Sequence, residues 1–200
     1  MNDLVKQLRS SFEEKANQMK AYMKDKFTFL GVPAGMRKAC LAPICLELKQ
    51  CTQSEILKYI TILFKEEERE FHQAAVDILN KYSKKLVAED IQFLEHLITT
   101  NSWWDTVDMI ASNALGTLCF NYKSELEPWL FDAISSENIW LNRSAIIHQL
   151  KYKSKLDTEF LEASILPHLN DKEFFIQKAI GWSLRQHSHV DSEWGQGFCV

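Results

Sequence analysis

Apolar residues recur along this chain at three- and four-residue intervals, and strand-like alternation is almost absent. That period marks amphipathic helices, in which every third or fourth residue faces the same side. The pattern predicts helices near 3–24, 35–49, 53–65, 68–82, 88–99, 103–120, 125–135, 138–152, 157–168 and 172–187. Breakers separate them: Gly31 with Pro33, Thr52–Gln53–Ser54, Asn101–Ser102, Ser135–Ser136 and Asn170–Asp171. Ser102, Asp157 and Asp171 are the expected N-caps, because a short polar side chain there accepts from free first-turn amides.

The helices also repeat. EFHQAAVDIL (70–79), WLNRSAIIHQL (140–150) and FFIQKAIGWSL (174–184) align without gaps on Ala75, Ala145 and Ala179. The spacings are 70, twice 35, and then 34. The helix that starts in SWWDTVD (102–108) fills the empty slot, since Asp108 lies 35 residues after Gln73 and 35 before Arg143. Helix pairs at this period are the mark of α-solenoids. The unit is slightly shorter than a standard HEAT repeat. The expected fold class is therefore all-α, an α-α superhelix (solenoid) of about five HEAT-like helix pairs. Residues 1–190 are read as a single domain without an internal boundary, and 191–200 as a C-terminal tail.

Equivalent repeat positions project in the same direction, so Gln73, Asp108, Arg143 and Gln177 are expected to form one row on the concave face, with Lys178 beside it. For any single member, a solvated row is the plainer reading. Together with the neighbouring tryptophans, the row favours a binding groove.

Composition narrows the setting. Apolar residues make up 46% of the 200 positions, enough for a sizeable core, and the 6 Gly and 4 Pro are too few for a turn-rich β protein. Net charge is −4, which is not the bulk signature of a nucleic-acid binder. Phosphate binding then requires basic residues gathered on one face. The run Glu66–Glu67–Glu68 with Glu70 is expected as a solvated face. The 5 cysteines are odd in number and form no CxxC pair, and the 6 histidines show no HExxH spacing. Reduced cytoplasmic thiols and no metal site are the expectation. The polar start MNDLVKQLRSS does not read as a signal peptide, and no run approaches the roughly 18 apolar residues of a membrane span. Nothing points to oligomerisation, so a monomer is expected.

Trp104 and Asp108 are four residues apart and share a helix face, while Trp182 stands one turn beyond Lys178. Indole faces beside a carboxylate suit a cationic or charge-developing ligand, each face contributing roughly 0.5–2 kcal/mol. Glycosidic cleavage is such a chemistry, because its transition state is oxocarbenium-like and a nearby anion stabilises it. One carboxylate suffices if the leaving group already carries positive charge, as in N3- or N7-alkylated purine nucleotides. An isolated WxxxD is non-specific, and most such tryptophans are core. Trp103, Trp129 and Trp140 are read as core.

SWWDTVD, NIWLNRSAIIHQLKYK and FFIQKAIGWSLRQ, in this order and spacing, resemble the DNA alkylation repair family, and more closely its HEAT-like-repeat alkylpurine DNA glycosylases. AYMKDKFTFLGVPAGMRK fits as well, and the resemblance covers residues 1–190. It implies hydrolytic release of N3- and N7-alkylated purines from double-stranded DNA, with no metal or organic cofactor. It implies that Asp108 stabilises the oxocarbenium and orients water, while Trp104 and Trp182 hold the damaged nucleotide. It further implies that Arg143 contacts phosphate, joined by Tyr22, Arg37 and Lys38. Lys178 is added to the DNA-binding set from the repeat row.

Two departures stand out. Ala34 occupies a position that is often polar in the family, and after Val190 the chain runs DSEWGQGFCV in place of a further Ser/Arg/Glu-rich helical stretch. A shortened C-terminal cap is expected to lower stability at that end. Two alternatives to the glycosylase stand beside it: a non-catalytic HEAT-like module that binds DNA structures, and an α-solenoid protein scaffold. The joint presence of Trp104, Asp108, Arg143 and Trp182 separates the first reading from both.

Overall fold

The computed structural model describes residues 13–190; the first residues of the helix expected at 3–24 and the tail 191–200 lie outside them. Among the described residues the fold is all-α, with ten helices and no strand. No described helix is long and apolar enough to cross a membrane. The chain divides into two compact units, Met1–Lys81 and Tyr82–Val200. No change of composition marks that point in the sequence.

In the first unit, α1 (Glu13–Tyr22) leads through an extended segment to α2 (Ala34–Leu48), α3 (Gln53–Phe64) and α4 (Arg69–Lys81). A capping box closes the start of α3: Thr52 accepts from the Glu55 amide, and the Glu55 carboxylate takes the Thr52 amide at 2.8 Å. α4 buries Ala75, Ile78 and Leu79.

The acidic run is the solvated face the sequence suggests only at Glu67, with Glu66 half-buried. Glu68 and Glu70 are each 4% exposed. Glu70 accepts the amides of Leu30, Gly31 and Val32 at 3.0, 2.8 and 3.1 Å. These amides cluster because Gly31 adopts a positive φ of 83°, a region open to glycine. A carboxylate answering three buried amides satisfies donors that no ladder or helix reaches. Arg69, fully buried, lies 3.8 Å over the Phe27 ring and bonds His72 at 3.2 Å.

The second unit contains α5 (Ile91–Thr99), α6 (104–121), α7 (Lys123–Ile134), α8 (Ile139–Ile147), α9 (Thr158–Ile165) and α10 (Phe174–Ser188). α8 is its centre, and every residue from 141 to 150 is buried. Polar groups there are answered internally. Asn142 reaches the carbonyls of Ala133, Ile134 and Ser136 at 3.0, 2.9 and 2.8 Å, closing the end of α7. α8 stops short of the expected 152, because the His148 ring donates to the Ala145 carbonyl at 2.7 Å. That acceptor would otherwise take the amide of residue 149.

Of the three expected caps, Asp157 holds, accepting the Phe160 amide at 3.0 Å. Ser102 does not: Trp103 is the N-cap residue, and the Ser102 hydroxyl turns back to the Ile98 carbonyl at 2.7 Å. α10 starts later than expected, after Glu173, and Asp171 instead accepts the Glu173 amide at 2.8 Å.

Candidate active site

α6 carries the WxxxD pair and changes character just behind it. Trp104–Met109 is α-helical, Ile110–Leu115 is a π turn, and Gly116–Asn121 is α-helical again. A π turn shifts the backbone register, and side chains answer the carbonyls it disturbs. Ser112 donates to the Asp108 carbonyl and Asn113 to that of Met109, each at 2.7 Å. Glycine at 116 is required by packing, since a Cβ there would stand far inside contact distance of the His148 carbonyl oxygen.

Asp108 and Arg143 meet directly. Arg143 Nε donates to Oδ1 and Nη2 to Oδ2, both at 2.7 Å, a parallel bidentate pair. The side chains are 6% exposed for Arg143 and 15% for Asp108. Arg143 Nη1 also donates to the Phe175 carbonyl on α10. One guanidinium therefore ties α6, α8 and α10 together. Burial raises the Asp108 carboxyl above its ordinary range; the hydrogen bonds and charge of Arg143 oppose that shift, and the like charge of Asp105 adds to it.

Aromatic rings back this pair. Trp103 is buried, and its ring centre lies 5.7 Å from Trp140 and 5.1 Å from Phe175, with Trp140 and Phe175 5.0 Å apart. The Arg143 guanidinium lies 5.9 Å from the Phe175 ring centre. Trp129 is half-buried and donates to Glu95 at 2.6 Å.

Trp104 is half-buried one turn before Asp108, and Trp182 is half-buried on α10. Trp182 follows Phe175 by seven residues, which places it two turns along the same stripe of that helix. Lys178 is exposed, its ammonium 5.4 Å from the Phe174 ring. Gln177 turns away from the expected row and donates to the Asp171 carbonyl at 2.7 Å.

Tyr22, Arg37 and Lys38 belong to the first unit. Tyr22 and Lys38 are exposed. Arg37 turns inward, donating to Asp77 at 3.1 Å and to Gln73 at 2.6 Å. Gln73, expected in the same row as Asp108, thus serves Arg37. No described group of three or more His, Cys, Asp or Glu side chains could hold a metal ion.

A family model for the DNA alkylation repair enzyme matches residues 4–199. The chain belongs to the DNA alkylation repair enzyme family. A solved structure described as a predicted DNA alkylation repair enzyme from Enterococcus faecalis is similar, with a TM-score of 0.84 and 32% identity. The match covers 92% of this chain and 86% of that one. No curated protein matches. For this DNA alkylation repair enzyme, sequence reasoning overlooked two parts of the site. Phe175 was legible as the start of the stripe that ends at Trp182. Ser112 was not, because a serine four residues on can bond the carbonyl behind it or turn to solvent, and the sequence does not say which.

Proposed function

We propose that the protein is a DNA glycosylase that hydrolyses the N-glycosidic bond of N3- and N7-alkylated purines in double-stranded DNA. The observation that carries this reading is the Asp108 carboxylate, 15% exposed and fixed through both oxygens by Arg143, one helical turn after the half-buried Trp104. An alkylated purine is already cationic and leaves as a neutral base, so no general acid is needed. Positive charge develops on the sugar, and a preorganised carboxylate in a poorly solvated site stabilises it more strongly than one in water. Asp108 also orients the water whose oxygen bonds to the anomeric carbon. Trp104 and Trp182 hold the nucleotide by their faces.

In this reading Arg143 acts first on Asp108, keeping the buried carboxyl ionised and its plane fixed. Its N–H groups outside these bonds are the ones open to a phosphate. Lys178, Tyr22, Arg37 and Lys38 supply DNA contacts, so raising salt weakens DNA binding sharply.

The test is incubation with methylated DNA, measuring released 7-methylguanine and 3-methyladenine. Release by the parent protein and its loss in Asp108→Asn are expected. Undiminished release by Asp108→Asn would sink the assignment. A second reading draws on the same ion pair: an Asp whose charge is matched on both oxygens also suits a non-catalytic DNA-binding member that uses it as an interhelical staple. Tight binding of methylated DNA without release would favour that reading.

A further inference from the structure

Away from the Asp108–Arg143 pair, the second unit holds a cavity of about 110 Å3 between the end of α6, α7 and the turn that follows α8. Its walls are aromatic. Phe120 and Tyr152 meet edge to face at 5.2 Å, and the His148 ring does the same with Phe160 at 5.2 Å and Tyr152 at 5.8 Å.

Most polar groups of the wall are already answered. The Tyr152 hydroxyl donates to the Gly116 carbonyl at 2.6 Å. Gln149 donates to the Asp157 carbonyl at 3.2 Å and accepts its amide at 2.8 Å. The Asp157 carboxylate takes Lys123 at 2.6 Å and the Phe160 amide. His148 is the exception. It is 3% exposed, and Nδ1 must be the protonated nitrogen because it donates to the Ala145 carbonyl. Nε2, on the opposite edge of a ring that lines the cavity, is then an acceptor with no partner among the described residues.

Burial holds this imidazole neutral by pulling it down to about 4, and it pushes the neighbouring Cys119 thiol up to about 12. At neutral pH the back of the cavity therefore offers one neutral acceptor within an apolar wall. Nε2 is not among the fully buried unpartnered polar atoms, so water reaches it through the cavity. A guest that brings an O–H or N–H replaces that water without losing the hydrogen bond.

The mouth differs from the back. Lys123 is paired with Asp157 and also feels Glu127, which lines the same opening. The Lys155 ammonium, 5.2 Å over the Phe120 ring, has no carboxylate partner among the described residues. It is the cation left to receive an anion. The volume is somewhat below the roughly 150 Å3 that encloses a benzene. Since the cavity opens to solvent it need not enclose its guest, and one six-membered ring seats with its outer edge and a substituent projecting outward.

We propose that this cavity binds a small single-ring phenol that bears a carboxylate. The phenol O–H donates to His148 Nε2, the ring lies among Phe120, Tyr152 and Phe160, and the carboxylate meets Lys155.

The test is calorimetric titration of the full chain with three probes: 4-hydroxyphenylacetate, phenylacetate and p-cresol. 4-Hydroxyphenylacetate is expected to bind most tightly. Phenylacetate, which lacks the O–H, is expected to bind about tenfold more weakly or worse. His148→Phe keeps a ring of similar shape and is expected to abolish the preference for the phenol. Lys155→Met changes an exposed residue and gives a second handle if His148→Phe does not fold. It is expected to weaken both carboxylate probes and leave p-cresol unchanged. The proposal is overturned if 4-hydroxyphenylacetate shows no saturable binding at millimolar concentration, or if phenylacetate binds equally well. It is also overturned if folded His148→Phe still prefers 4-hydroxyphenylacetate to phenylacetate, or if folded Lys155→Met binds both carboxylate probes as tightly as the parent.

Discussion

Asp108 and Arg143, 35 residues apart, are joined by two parallel hydrogen bonds of 2.7 Å inside the second unit. Both side chains are largely out of solvent, so the carboxylate depends on that guanidinium for its charged state. Arg143→Met would leave Asp108 buried without a counter-charge. The carboxyl, already raised by burial, would rise further. On the proposed glycosylase function, the acid limb of the kcat/KM profile for base release is expected to move to higher pH, with activity partly recovered on raising pH. Stability is expected to fall by about 3–5 kcal/mol, measured by denaturant unfolding. An unmoved acid limb would mean that Arg143 does not hold Asp108 in its working state.

Two glycines are expected to respond in opposite directions to the same change. At Gly116 a new Cβ meets the His148 carbonyl, a backbone atom that cannot turn aside. Gly116→Ala is expected to cost about 1–3 kcal/mol despite the better helix propensity of alanine. At Gly181 nothing lies within 4 Å of the added Cβ. Gly181→Ala is expected to stabilise by about 0.5–1 kcal/mol. Thermal melts of the two variants check the signs.

Glu70 holds three buried amides in the first unit. Glu70→Ala leaves them without an acceptor and is expected to cost about 3 kcal/mol. The specific readout is hydrogen exchange: the amides of Leu30, Gly31 and Val32 should lose protection ahead of the helices. Unchanged protection there would show that another group holds the segment.

His148 makes the fold acid-sensitive. Its imidazole titrates near 4 in the folded chain, against an ordinary 6.5, because burial opposes its charge. The unfolded chain therefore takes up this proton first as pH falls. The associated stability is fully present above about pH 6.5 and is lost between there and about pH 4, amounting to about 3 kcal/mol. Denaturant unfolding at a series of pH values should show this loss, and His148→Phe, where it folds, should flatten it.

Much of the architecture was legible in the chain. The 3.6-residue apolar period located nine of the ten helices, eight of them to within about three residues, while the one expected to 152 ends at Ile147 and the start of the one expected at 3–24 lies outside the described residues. The period works because it records which side of each segment faces the core. The 35-residue spacing put Asp108 and Arg143 in register, since repeats align equivalent positions on neighbouring helices. Capping was legible only where one side chain and its own first turn decide it, as at Asp157. Ser102 failed as a cap because a carbonyl of the preceding helix lies within its reach.

The sequence by itself determined the all-α class, the membership that its three motifs announce, and the faces on which Trp104, Asp108, Arg143 and Trp182 lie. The class and the faces follow from local periodicity and spacing, and the membership from the resemblance of the motifs; all three are read from the chain alone. Only the tertiary structure decided that Arg143 would close on both oxygens of Asp108 and on the Phe175 carbonyl, that Gln73 would serve Arg37, and that Glu70 would be buried against three amides. A charged side chain carries no mark in the sequence of being buried. Whether it stays in water depends on the donors and acceptors that folding brings to it, here from segments some 30 to 40 residues away.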